Sequence, residues 1–144
     1  MDEPRAKVGV GVFVLKDGKV LLGKRKSKHG EGEYGGPGGH MEYGETAIET
    51  ALREIKEECG IKVKNLRVLC VSDSLKYFPK HYVDIGVYAD WEAGEPKILE
   101  PDKFEFWNWY ELDNAPEKCF GCFEAYLEAY RTGRHHFSFS KPKS

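Results

Sequence analysis

The sequence has no apolar run long enough to cross a bilayer; its longest, Val8 to Leu15, falls far short of the roughly 20 residues a spanning helix needs. The opening MDEPRAK lacks the apolar centre of a secretory signal, so a cytoplasmic location is expected. A dominant charge is missing too: 22 Lys and Arg face 24 Asp and Glu, a net charge of −2, which gives no drive toward nucleic acid or an anionic membrane. Partners should be small molecules. Cysteine is sparse, with four in 144 residues, so no disulfide scaffold is expected and the thiols should be free. Cys119-x-x-Cys122 has a zinc-like or redox-like spacing, but zinc needs a second ligand pair that Cys59 and Cys70 do not supply, and the redox reading lacks a strand-to-helix context. His135 and His136 do not supply that pair either. Internal repeats and low-complexity tracts are absent, and one domain over residues 1–144 is expected.

What the sequence does have is a concentration of carboxylates at residues 45–58. Thr46 is a good N-cap and Glu49 completes a capping box, so a helix should begin near Ala47 and stop at Gly60. Ile48, Ala51, Leu52, Ile55 and Cys59 form its apolar stripe. Glu54, Glu57 and Glu58 share another face, at i, i+3 and i+4, with no lysine or arginine expected among them. Such carboxylates repel by a few tenths of a kcal/mol per pair unless a cation joins them. Oxygen donors without histidine or thiolate suit a hard cation, Mg²⁺ or Mn²⁺. The competing reading is a solvated acidic face. Gly35 to Gly39, with Pro37, reads as a tight turn whose bare backbone could add a carbonyl, such as that of Gly38, to a metal shell or present N–H groups to phosphate.

Elsewhere the pattern is mostly strand. Val8 to Leu15 and Val20 to Arg25 flank an Asp17-Gly18 hairpin turn, and the second strand ends in a basic cluster in which Arg25 is best placed to meet phosphate. Residues 61–63 and 66–72 supply further strand material. His81 to Trp91 alternates, placing Val83, Ile85, Val87 and Ala89 on one face and Tyr82, Asp84, Gly86 and Tyr88 on the other. Asp84 reads either as a hydrogen-bond partner for a base or as an exposed edge residue. Residues 106–110 form another strand with Trp107 and Trp109 on one face. A last helix is expected from Pro116, with Phe120, Phe123, Leu127 and Tyr130 as its core stripe and Gly133 as its stop. The tail 135–139 reads as a short strand, a dimer contact or a frayed end.

Gly39 to Ile61 resembles the signature of the Nudix hydrolases, G-x5-E-x7-R-E-U-x-E-E-x-G-U, with Gly39, Glu45, Arg53, Glu54, Ile55, Glu57, Glu58, Gly60 and Ile61 at the fixed positions. Gly36 departs from the large hydrophobic residue that relatives often carry before the proline. The resemblance implies an α/β (α+β) Nudix fold, a mixed sheet sandwiched between helices. It also implies Mg²⁺, with Mn²⁺ as a substitute, held by Glu57, Glu58, Glu54 and the Gly38 carbonyl. Glu54 doubles as a candidate base, while Arg53 and Glu45 brace the loop against the helix. A glutamate from the 100–105 region often joins such sites, and Glu105 is favoured over Glu100.

The His81-Tyr82-Val83 strand start and the stretch from Glu100 to Trp109 look like the MutT-like branch. This implies hydrolysis of a normal or oxidised nucleoside triphosphate to monophosphate and pyrophosphate, with Tyr34, Phe78, Tyr82 and Trp107 as candidates to stack on the base. Other phosphoanhydride substrates (a dinucleoside polyphosphate, ADP-ribose, a nucleotide sugar, a prenyl diphosphate) and a non-catalytic nucleotide-binding module are the alternatives. A homodimer is compatible with the family.

Overall fold

The computed structural model describes residues 3–143. Strand β1 (Lys7–Lys16) turns through Asp17 and Gly18, both at positive φ, into β2 (Lys19–Arg25). The two strands pair only at their hairpin end, Leu15 with Val20 and Lys16 with Lys19, and then diverge. Residues 34–40 fill the gap. β3 (Tyr34–Gly35) pairs with β2, while β4 (Gly38–His40) pairs with β1 in the register Gly9 to His40. The glycine-rich segment is therefore extended sheet, not the tight turn its composition suggested. The reason is space: a Cβ at Gly36 or Gly38 would lie 2.5 or 2.4 Å from the carbonyl oxygens of Val12 and Val10. At Gly36 this crowding excludes the bulky residue expected by analogy.

β5 (Lys62–Ser74) and β6 (Tyr82–Ala93) extend the sheet beyond β1, and β7 (Phe104–Glu111) pairs with β2. The tail forms β8 (His136–Phe139), parallel to β5. Since β1 is also parallel to β6, the sheet is mixed, and β6 lies between β1 and β5. Asp84 is accordingly an interior position and not an edge.

Helix α1 (Ala47–Glu58) has the expected capping box, with Thr46 Oγ1 accepting from the Glu49 N–H at 3.1 Å and Glu49 Oε1 accepting from the Thr46 N–H at 2.9 Å. Gly60, at φ 72°, donates to the Ile55 carbonyl and stops it. Ala51, Ile55 and Cys59 pack on Val10, Val12, Val14 and Val87. Leu52 is exposed, whereas Thr50, Glu54 and Glu58 are buried, so the inner face is rotated toward the carboxylates relative to the expected stripe.

Helix α2 (Phe123–Thr132) covers the opposite face of the sheet. It begins several residues later than Pro116, and Phe120 lies in the preceding loop, not on the helix. The buried positions are Phe123, Ala125, Tyr126 and Ala129, while Tyr130 is partly exposed. Tyr126 lies flat on the sheet because Gly11 and Gly86, neighbours in register, leave room: a Cβ at either would come within 2.6 Å of its side chain. All four thiols are free. No helix among the described residues is long and apolar enough to cross a membrane.

Candidate active site

Arg53 is the organising side chain of the carboxylate cluster. Its Nε donates to Glu45 Oε2 at 2.7 Å, and its Nη2 donates to Glu45 Oε1 and the His40 carbonyl, each at 3.0 Å. Glu45 also accepts from the Glu42 N–H and from Thr50 Oγ1, which ties the loop before α1 to the helix and to β4. The hydrogen bonds from Arg53 and from the Glu42 backbone hold the Glu45 carboxyl down to about 2, and Glu45 in turn raises the Arg53 pKa. These contacts join the Glu45 loop to the helix at Arg53 and Thr50.

Arg53 also corrects one expectation. Its Nη1 lies 2.6 Å from Glu54 Oε1 and 3.4 Å from Glu57 Oε2, so the acidic face does contain a cationic side chain. A long guanidinium at i reaches both i+1 and i+4 once Glu45 orients it. Among the described residues no three acidic, histidine or cysteine side chains converge on one point.

Glu58 is 3% exposed and accepts from the Gly38 N–H at 2.7 Å. Burial pushes its carboxyl up to about 8, with the charges of Glu54 and Glu100 adding to the effect. Burial also raises Glu54, against the pull of Arg53. Glu54 has Arg53 as its cationic partner, whereas Glu58 has no ion pair among the described residues. Glu100 Oε1 is buried with no hydrogen bond, its nearest cation being Lys103 Nζ at 3.5 Å, and a Cβ at Gly39 would come within 2.6 Å of the Glu54 carboxyl, so only bare backbone fits beside it. An oxygen-only donor set suits a hard divalent ion by its chemistry. Gly38 contributes its N–H to Glu58 in this arrangement.

A cavity of about 450 Å³ runs from Glu54 and Glu58, past the bare glycines of β3 and β4, to Asp84 and Tyr126 under α2. Arg25 lines it, its guanidinium 3.8 Å from the centre of the Phe120 ring and its Nε donating to the His29 carbonyl. Burial lowers its pKa. Tyr77 stacks on Phe120 at 5.4 Å, and its hydroxyl accepts from the Gly121 N–H. Tyr82 lines the cavity beside His40.

Several sequence candidates lie elsewhere. Tyr34 packs against Phe106 and Tyr110, and Trp107 belongs to the core under α1. His81 is exposed and does not line the cavity. Neither Glu105, which pairs with Lys24 at 3.3 Å, nor Glu100 lines the cavity, but the charge of Glu100 acts on Glu58. Glu57 is half-exposed beside Arg53. Sequence reasoning missed Tyr126 and Lys103, which both line the cavity. The paired glycines at positions 11 and 86 were the available sign that something large lies across the sheet.

Residues 5–127 match the model of the NUDIX domain. The chain is 38% identical over 115 residues to a protein of Methanocaldococcus jannaschii named ADP-ribose pyrophosphatase, an alignment covering 78% of this chain and 66% of that one. It is 34% identical over 105 residues to the NAD-capped RNA hydrolase NudC of Shigella dysenteriae, covering 73% of this chain and 39% of the relative. The chain thus spans just under two-thirds of the first relative and about two-fifths of the second. Among solved structures, a MutT NUDIX hydrolase from Burkholderia pseudomallei superposes with a TM-score of 0.82 at 34% identity, covering 88% of this chain and 98% of that one. With the signature carboxylates gathered between α1, β4 and the Arg53 brace, the chain belongs to the Nudix hydrolase family.

Proposed function

We propose that this chain is a Mg²⁺-dependent pyrophosphohydrolase of the cytoplasm that cleaves a nucleoside triphosphate, normal or oxidised, to nucleoside monophosphate and pyrophosphate. The observation that carries the reading is one cavity with two unlike ends: the buried carboxylates Glu54 and Glu58 at one, aromatic rings and the Asp84 carboxyl at the other. That division suits a ligand with a polyanionic part, reached through a cation, and a planar part.

Glu54, Glu57 and Glu58 would hold the ion, with the Gly38 carbonyl and Glu100 as further oxygen donors. Bound there, Mg²⁺ would neutralise phosphate charge and acidify a coordinated water. Arg53 and Glu45 would fix the loop so that the carboxylates are preorganised, and Glu54 would be a ligand or the base that holds the attacking water. Arg25, stacked on Phe120, lies where a phosphate or base would pass.

The experiment is product analysis after incubation with Mg²⁺ and a panel of normal and oxidised nucleoside triphosphates, ADP-ribose, diadenosine polyphosphates and geranyl diphosphate. Monophosphate plus pyrophosphate from a triphosphate is the expected result. The name of the archaeal relative favours ADP-ribose as the second reading, and turnover confined to it would replace the first. Tight binding with no turnover of any substrate would make the chain a binding module.

A further inference from the structure

Resting on the reading of a nucleotide substrate, we infer that Asp84, oriented by Tyr126, is the residue that selects the base, and that it takes a ring edge carrying two adjacent N–H donors, the 2-amino-6-oxo edge of guanine. Asp84 stands in the middle of β6, flanked in register by Gly9 of β1 and Ser72 of β5, and its side chain turns into the cavity beneath α2. The Tyr126 hydroxyl donates to Oδ2. Oδ1 lies toward Gly9, where a Cβ would stand 3.6 Å away. No lysine, arginine or histidine pairs with this carboxyl among the described residues, and burial raises its pKa to about 6.

As a purely structural element the arrangement is poorly chosen. A carboxylate sunk in a sheet without a cation costs stability, and an apolar pair of the same size would pack there more favourably. Tyr126 in turn is locked over Gly11 and Gly86, so the carboxyl is held in one orientation. A fixed, desolvated acceptor at the inner end of a cavity is a recognition element, because it rewards a donor and penalises an acceptor. Tyr77 and Phe120, stacked on each other, line the same cavity.

The chemistry of the edge follows from the inventory of a carboxylate, which when ionised only accepts. Guanine offers N1–H and its 2-amino group side by side, matching the two oxygens. Hypoxanthine keeps N1–H but loses the amino donor. Adenine places the N1 acceptor next to its single amino donor, against an oxygen.

Three measurements test this. Values of kcat/KM for dGTP, dITP and dATP with Mg²⁺ are compared between the natural protein and Asp84→Asn, and the metal-free proteins are titrated calorimetrically with GMP, IMP and AMP. A hydrogen bond to a charged group corresponds to about a ten- to hundredfold preference. The natural protein should therefore favour dGTP over dITP by about tenfold or more, and Asp84→Asn should collapse the dGTP to dATP ratio, with GMP affinity falling in step. Thermal melting verifies that the variant is folded. Should it not fold, Tyr126→Phe, which keeps the ring but releases the carboxyl, must lower the GMP to AMP selectivity.

Unchanged ratios in the variant, with unchanged GMP affinity, would overturn the inference while leaving triphosphate hydrolysis intact. Failure to cleave any triphosphate, with GMP still bound over AMP only when Asp84 is present, would overturn the activity and leave the selection standing.

Discussion

Replacing Glu58 by glutamine should make the metal-free protein more stable and the Mg²⁺-loaded protein less so. The Glu58 carboxyl titrates near 8 in the fold against an ordinary value of 4.5, and burial is the main cause. An acid raised in this way stabilises the fold only while protonated, so stability falls as the pH climbs from about 4.5 through about 8. At about 1.4 kcal/mol for each pH unit between those values, keeping the ionised group buried at pH 8 costs at most about 5 kcal/mol. Glutamine removes the charge and keeps an oxygen for the Gly38 N–H, now in a weaker neutral hydrogen bond.

A net gain of about 2 kcal/mol remains after that weakening, which for a chain of this length raises the melting temperature by about 5–8 °C. Mg²⁺ reverses the order. At a hundred times its dissociation constant, the ion adds about 2.7 kcal/mol to a protein that binds it, and a protein missing a central ligand forfeits most of this. Melting curves of both proteins at pH 5.5 and 8, with and without Mg²⁺, should show the natural protein losing more stability with pH than the variant, in which the raised carboxyls of Glu54 and Asp84 remain. A variant that melts below the natural protein at pH 8 without metal, or that gains as much from Mg²⁺, would refute the reasoning.

Gly39→Ala should leave the protein folded, since the clash at 2.6 Å is with the end of the Glu54 side chain, yet lower kcat at least about tenfold because a displaced carboxylate weakens the cation site; steady-state kinetics beside a melting curve separates the two effects. Gly11→Ala meets the fixed Tyr126 hydroxyl at 2.3 Å, and denaturant unfolding should show a loss of about 1–3 kcal/mol. Arg53→Lys keeps the charge but cannot make the paired bonds to Glu45, so activity should fall by about an order of magnitude or more with helical content unchanged by circular dichroism. The Cys122 thiol, pushed up to about 12 by burial, should resist iodoacetamide at pH 7.5 until the protein is unfolded, as followed by mass spectrometry.

The capping box, the hairpin turn and the strand alternation were legible because each rests on neighbours a few residues apart. The spacing of Glu54, Glu57 and Glu58 gave the acidic cluster for the same reason. Tertiary geometry decided the rest. Arg53 was read by helical position alone, but its reach among the glutamates depends on Glu45, eight positions back across a loop. Phe120 has helical spacing with Phe123 and Leu127 and still leaves the helix, because Arg25, Tyr77 and His29 give its ring a better-packed place. For Asp84 the sequence left an edge position and a hydrogen-bonding role both open, and only the pairing of β6 with β1 and β5 excludes the edge.

The divergence of β1 from β2 has a mechanical consequence. The two apolar cores lie on opposite faces of the sheet and share no buried side chain, so each can loosen with some independence. A ligand in the cavity, lying along the glycines that fill the parting, would rest on α1 at one end and beneath α2 at the other. It would tie the two faces together, and amide exchange should slow on both helices when the cavity fills.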